Sequence, residues 1–266
     1  MVAHHPLVYG VLQADAVRLP CKADQMRCGH ATFSILALDR AAGHFGVAMA
    51  SKLPCVGSFC PVLRSGVGAV VTQAWTNPAL PYRIFERLEA GDDAERALAT
   101  VMAVEVDAGL RQVGVIDAKG RAAGFTGAGV EPAFGQLEGD GCLVLGNMLP
   151  DQSVLEAMAE RFAEAAGQPL AERLLLALAA GAERGGDVRG TRSAALKVVA
   201  GEVFPLVDLR ADDHDRPVAE VRRLLGVVAG DLARFIAALP TRVNPHGRFE
   251  TVQDLRPEPP IGPVRR

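Results

Sequence analysis

Thr32-Phe33-Ser34-Ile35-Leu36-Ala37-Leu38, Asp39-Arg40-Ala41-Ala42-Gly43, and then Phe45-Gly46-Val47-Ala48-Met49-Ala50-Ser51 is the stretch on which the fold turns. Two apolar runs flank a small, polar segment that ends in glycine. That pattern predicts a hairpin of two antiparallel strands. Downstream, Lys52 to Gly66 is punctuated by Pro54, Gly57 and Pro61 and reads as an irregular loop. Residues 68–75 are apolar and β-branched, a third strand that Asn77-Pro78 stops.

Working outward, helices come in pairs. Residues 81–90 close at Gly91, a residue suited to a left-handed helix end. Asp92 or Asp93 caps the next helix, whose Ala94, Ala97, Leu98, Val101 and Met102 share one face. A second hairpin follows, residues 112–116 and 121–126 around Asp117-Ala118-Lys119-Gly120, and then a short strand at 142–146. Helices are expected at 151–166 and 169–184, and a last strand pair at 193–200 and 203–209. Strands run in blocks and so do helices, which is α+β logic with mainly antiparallel strands in two sheets flanked by helix pairs. Beyond Asp212, the residues Val218, Val221, Leu225, Val228 and Leu232 recur at 3,4 spacing, giving one helix over 217–239 with a narrow apolar stripe. That stripe either docks on its own domain or forms a homodimer seam. The sheets and helix pairs are complete before it, so its face still needs a partner. The expected organisation is an extension over 1–31 outside the fold, a domain over 32–210, and a C-terminal helical segment and tail over 211–266.

The chain has 266 residues, 49% hydrophobic and 22% charged, which excludes a disordered chain and allows a large core. Its formal charge of −3, with 28 basic against 31 acidic residues, argues against a nucleic-acid partner. No basic run suits a membrane surface, and no apolar run is long enough for a spanning helix. The five cysteines, Cys21, Cys28, Cys55, Cys60 and Cys142, form no close pair and read as reduced thiols, hence a cytoplasmic protein. The first thirty residues hold no apolar core of a signal peptide.

There is no phosphate loop, nucleophile elbow, zincin helix or dinucleotide loop, so no cofactor is expected. Asp212, Asp213 and His214 could ligate a metal. Carboxylates before Pro217 also suit a helix start, and neighbours in sequence rarely converge on one ion. No metal is therefore expected. Cys142 reads as a small core residue. One catalytic arrangement survives. Thr32 heads the hairpin, whose second strand ends in Ser51-Lys52, and the third strand ends in Gln73-Ala74. A free N-terminal threonine carries its own base, because its hydroxyl is the nucleophile and its α-amine, with a pKa of about 7.7–8.0, takes the proton. Lys52 or Arg64 would keep that amine neutral and favour the alkoxide. Donors at a neighbouring strand end would stabilise the oxyanion. The same threonine also fits as an ordinary β-former at a strand start.

Several blocks resemble a bacterial family of unknown function, domain of unknown function ten-twenty-eight, grouped with the N-terminal nucleophile (Ntn) hydrolases. They are Thr32-Phe33-Ser34-Ile35, Gly46-Val47-Ala48, Val56-Gly57-Ser58, residues 64–70, Thr72-Gln73-Ala74 with Thr76-Asn77-Pro78, and Arg111-Gln112-Val113-Gly114-Val115. Gly146-Asn147-Met148, Gly185-Gly186-Asp187, Ser193-Ala194-Ala195 and Asp212-Asp213-His214 continue the match. The resemblance covers about Thr32 to Leu225. It implies a four-layer αββα sandwich with an additional C-terminal helix, and hydrolysis of a small amide, ureido or peptide-like C–N bond through Thr32. It places Lys52 or Arg64 as the basic partner, Gln73 near the oxyanion donors, Asp187 and Ser193 beside the nucleophile's amine, and Asn147 within a matching block. The partner implied is a small-molecule amide. Thirty-one residues precede Thr32, and an internal threonine has an amide nitrogen and no base. Either the chain is cleaved at Ala31–Thr32, or translation starts later, or this member is unprocessed and does not use this chemistry. The alternatives are a non-catalytic binding or assembly protein of the same fold, and a metal-dependent hydrolase using Asp212, Asp213 and His214.

Overall fold

The computed structural model describes residues 31–247. The decisive hairpin forms as β1 (Thr32–Asp39) and β2 (His44–Ser51), antiparallel, with Asp39 opposite His44 and Thr32 opposite Ser51. Asp39 shapes the turn, its carboxylate accepting the Ala41 and Ala42 amides at 3.0 and 3.1 Å. The segment expected to be an irregular loop instead holds a one-turn helix, α1 (Val56–Phe59), and a strand, β3 (Pro61–Arg64), that pairs with β4 (Gly68–Ala74). Proline is tolerated at the first position of such an edge strand.

Helices α2 (Leu80–Glu89) and α3 (Ala94–Met102) follow, and Asp93 caps α3 by accepting the Arg96 amide at 2.9 Å. Then come β5 (Arg111–Asp117), β6 (Ala122–Thr126), β7 (Gly135–Gly139) and β8 (Cys142–Asn147). The second half adds α4 (Ser153–Glu164), α5 (Leu170–Glu183), β9 (Ser193–Val199), β10 (Pro205–Ala211), α6 (Pro217–Val228) and α7 (Asp231–Ala238). The fold is mixed α+β, with two antiparallel sheets and, among the described residues, seven α-helices. One sheet runs β10-β9-β2-β1-β8-β7 and the other β3-β4-β5-β6.

The period-2 rule sorts the side chains into three apolar clusters. Phe33, Ile35, Ala48, Val144 and Leu196 meet α4, α5 and α6 on one face of the six-stranded sheet. Leu36, Leu38, Val47, Met49, Leu143 and Leu145 point the other way and meet Ala69, Val71 and Ile116 of the smaller sheet. Val70, Val113 and Val115 on that sheet's outer face meet α2 and α3. Gly114 lies between the sheets because a Cβ there would sit 3.0–3.2 Å from the Leu143 and Leu145 methyls.

The single helix expected over 217–239 is two helices broken at Gly230, and the part of its stripe on α6 packs against its own domain. Val221 and Leu225 are buried in the cluster formed by α5, β9 and β10, with Val218 and Val228 beside them. The reason given for a dimer seam, an apolar face without a partner, is therefore removed. Residues of β10 and α6 share one apolar cluster. The extension over 1–30 and the tail beyond 247 lie outside the described residues, as do Cys21 and Cys28. No described helix is long and apolar enough to cross a membrane.

Candidate active site

The cross-strand registers place Asn147, Thr32, Ser51 and Ser193 in one row across β8, β1, β2 and β9. Gln73, Gln112 and Thr126 form a second row across β4, β5 and β6. All seven occupy the alternation that faces the opposite sheet. One end of the inter-sheet layer is thus polar, although Thr32, Ser51, Gln73, Gln112, Asn147 and Ser193 are all buried.

Buried polar groups must find partners, and these do. Gln112 is the hub. Its Oε1 accepts Gln73 Nε2 at 2.7 Å and Asn147 Nδ2 at 2.8 Å, and its own Nε2 donates to the Gly146 carbonyl at 2.9 Å and Thr126 Oγ1 at 3.0 Å. Ser34 Oγ donates to Gln73 Oε1 at 2.8 Å, and Gln73 Nε2 also reaches the Thr32 carbonyl at 3.4 Å. Both amide hydrogens of Gln73 are committed in this way, whereas Asn147 uses one of its two. Thr32 Oγ1 donates to Ser51 Oγ at 3.2 Å. Ser51 Oγ in turn donates to the Ala31 carbonyl at 2.6 Å and accepts the Leu53 amide at 3.1 Å.

Asp187 anchors the far side of the row. Its carboxylate accepts the Lys52 amide at 2.8 Å, the Arg189 amide at 2.9 Å, and Arg189 Nε and Nη2, both at 3.1 Å. Gly186 beside it has φ +50°, and a Cβ there would lie 2.6 Å from the Phe33 ring, so only glycine allows this approach. Ser193 Oγ donates to the Leu53 carbonyl and accepts the Val56 amide at 3.2 Å, which fixes the turn after Lys52. The Lys52 side chain is exposed and in no ion pair among the described residues.

The backbone is bent at this same end. Ala74 and Met148, which directly follow Gln73 and Asn147, take left-handed φ values of 61° and 51°. Each such non-glycine residue costs about 1–2 kcal/mol, and strain of this kind concentrates at functional sites. A second network braces the Ala74–Asn77 turn. Arg111 Nη1 donates to the Trp75 carbonyl at 2.6 Å, and Glu105 accepts Asn77 Nδ2 at 2.7 Å, Arg83 Nη1 at 2.9 Å and Arg111 Nε at 3.1 Å. Burial alone would raise the Glu105 carboxyl, but the hydrogen bonds from Asn77 and Arg111 outweigh it and hold the group below the usual range.

The structure gathers Thr32, Gln73, Asn147 and Ser193, joins Asp187 to them through the Lys52 amide, and leaves out Arg64. Arg64 ends β3, opposite Gly68 at the far end of β4 from Gln73. It pairs there with Glu89 at 2.8 Å and lies 4.8 Å over the Phe85 ring. Arg64 is not the basic partner the resemblance implies, because α1 and β3 take up the segment after Lys52 and carry the chain away from Thr32. The metal alternative has no geometry either. Asp212 pairs with Arg210, Asp213 and Asp215 pair with Arg192, and His214 Nδ1 accepts the Arg216 amide. No cluster among the described residues could hold an ion. Asp215 does not cap α6, because Arg192 holds it. Burial pushes the Cys60 thiol up to about 12 and the Cys142 thiol up to about 11, which disfavours the thiolate that a nucleophile needs.

Sequence reasoning missed Ser51, Ser34, Gln112 and Arg189. Ser51 could have been found by counting outward from the turn, since Asp39 opposite His44 fixes Thr32 opposite Ser51. Gln112 shows as a polar residue on the inward alternation of an otherwise apolar strand.

Residues 32–221 match the model of a family described as a family of unknown function, DUF1028. The chain belongs to the DUF1028 family. The crystal structure of a family member from Silicibacter pomeroyi is similar to it, with a TM-score of 0.75 and 31% identity over 82% of this chain and 98% of that one. A looser likeness, with a TM-score of 0.33 and 13% identity over 78% of this chain and 98% of that one, is to Anbu (ancestral beta-subunit) from Yersinia bercovieri. No curated protein matches. The matched span of this DUF1028 member begins at Thr32, the first residue of β1, and includes the side chains of both polar rows.

Proposed function

We propose that this DUF1028 protein is an N-terminal nucleophile hydrolase of the αββα sandwich class, with Thr32 as nucleophile on a small amide, ureido or peptide-like C–N bond. The observation that carries the reading is the polar row. Thr32 heads a central strand, flanked in register by Asn147 and Ser51, at the one end of the inter-sheet layer that is not apolar.

The chemistry follows from the residues. Cleavage of the Ala31–Thr32 bond turns the Thr32 amide into an amine, which takes the hydroxyl proton as Oγ1 attacks the substrate carbonyl. Asn147 has an uncommitted amide hydrogen and supplies it to the oxyanion. Gln73 has none left, so it positions the Thr32 backbone and does not bind the oxyanion. Asp187 and Ser193 hold the backbone of the Lys52 turn, and the Lys52 ammonium is the cation of this reading that favours the neutral amine. The acyl group passes to Thr32, the amine product leaves, and water releases the acid.

A second reading is favoured by one observation. With Ala31 attached, the Thr32 nitrogen is an amide and the Ala31 carbonyl is held by Ser51, so the uncleaved chain is a non-catalytic member of the same fold. The test is the intact mass of purified protein, alongside turnover of a panel of N-acyl amides and ureido acids. Hydrolysis by a species starting at Thr32, lost in Thr32→Ala, supports catalysis. A full-length, inactive chain supports the binding reading.

A further inference from the structure

The Ser51 hydroxyl has every hydrogen-bonding valence in use. A serine has one proton to give and two lone pairs to accept with. Ser51 gives its proton to the Ala31 carbonyl at 2.6 Å and accepts from Thr32 Oγ1 at 3.2 Å and from the Leu53 amide at 3.1 Å. It is buried, so water cannot substitute for a lost partner without cost. Two of the three partners belong to the Ala31–Thr32 unit, and one of them, the Ala31 carbonyl, leaves if that bond is cut.

We infer that Ser51 is a positioning residue that switches the direction of the hydrogen bond between the two hydroxyls when residue 31 is removed. The inference rests on the proposed role of Thr32. While Ala31 is attached, the Ser51 proton is held by the Ala31 carbonyl, and the Thr32 proton points at Ser51, away from its own nitrogen. Hydrolysis of the Ala31–Thr32 bond consumes one water, leaves a carboxylate on Ala31 and an amine on Thr32, and removes the only acceptor of the Ser51 proton. Among the described groups, the acceptor left to that proton is Thr32 Oγ1. With Ser51 now donating to Oγ1, the Thr32 proton is released to turn toward the new α-amine, its general base. The Leu53 amide still donates to Ser51 and keeps its oxygen in place. Removal of Ala31 thus creates the base and also turns the nucleophile's proton toward it. No change of fold is needed, because Ser51 and Thr32 are fixed opposite each other by the β1–β2 register.

The experiment compares the full-length chain with a chain released at Thr32 from a ubiquitin fusion, each as wild type, Ser51→Ala, Ser51→Thr and Thr32→Ala. A cooperative melt is required of every variant. The probe is a small acylating β-lactone, read as a mass adduct per unit time across pH. The wild type released at Thr32 should acylate, with a midpoint near the α-amine's ordinary value of about 7.7–8.0. Ser51→Ala should lower its rate about ten-fold or more and move the midpoint upward, because without the Ser51 donor the Thr32 hydroxyl is no longer turned to donate to the amine, a hydrogen bond that favours the neutral form. Ser51→Thr, which keeps the hydroxyl, should restore both. If Ser51→Ala does not fold, Ser51→Cys, a weaker donor at the same place, should give the same two changes in smaller measure. An unchanged rate and midpoint in a folded Ser51→Ala that still acylates at Thr32 overturns the role of Ser51 alone. Absence of acylation in the released wild type, or equal acylation of Thr32→Ala, overturns the nucleophile as well.

Discussion

The two ends of the layer between the sheets are built from the same strands and the same inward-facing positions, yet they are chemically opposite. At one end Leu36, Leu38, Val47, Leu143 and Ile116 interdigitate. At the other, Thr32, Ser34, Ser51, Gln73, Gln112 and Asn147 replace them, as buried but entirely polar. A sandwich needs only the first kind of packing to fold. Burying six polar side chains where leucines would fit brings no hydrophobic gain, and each must be individually satisfied. The backbone strain at Ala74 and Met148 lies at the polar end. The apolar end therefore accounts for the fold, and the polar end is better explained by function.

The sharpest break of this comparison is at the apolar end. Leu36→Ala should cost about 2–5 kcal/mol, the range for a fully buried leucine, and lower the melting temperature while leaving the geometry around Thr32 intact. A smaller effect is expected at the polar hub. Gln112→Ala leaves the Gln73 and Asn147 donors without their shared acceptor and should cost about 1–3 kcal/mol. It should also depress turnover more than Leu36→Ala does in folded protein, because Asn147 loses its aim. Equal turnover losses in the two variants would erase the distinction between the ends.

A third effect separates stability from site chemistry by pH. Burial would raise the Asp117 carboxyl, but the Arg121 guanidinium and the backbone amides of Arg121, Lys119 and Ala94 together hold it below the usual carboxylate range. A depressed folded-state pKa contributes stability above the unfolded value of about 3.9 and loses it as pH falls through the folded value. The melting difference between wild type and Asp117→Asn should accordingly be full near neutral pH and shrink on acidification below about pH 4. A difference that grows with acid would contradict the sign. The smallest effect is at Arg64. Its ion pair with Glu89 is surface-exposed and worth about 0–1 kcal/mol, so Arg64→Met should leave turnover unchanged and barely move the melt.

The β1–β2 hairpin was legible because its turn and its alternation agree. β7 was not, since Gly135-Gln136-Leu137-Glu138-Gly139 is short, half-exposed and bounded by glycines. β3 was hidden by Pro61 at its start and by α1 before it. The break at Gly230 was invisible to periodicity, because the 3,4 spacing from Val218 to Leu232 continues across it. For the site, Thr32 could be read from its place at a strand head. Ser51 and Gln112 depend on register and on inter-sheet contact, which local pattern does not encode. Arg64 is not placeable from sequence, because its distance from Thr32 depends on the path of α1 and β3, which local pattern does not encode.

The central claim is that Thr32, once freed, is the nucleophile. Its most direct test is the intact mass and peptide map of the purified, catalytically active protein before and after reaction with a β-lactone. The account predicts a species that begins at Thr32 and carries a single adduct on that residue. An active species that retains residues 1–31, or an adduct mapped to any other residue, would contradict it.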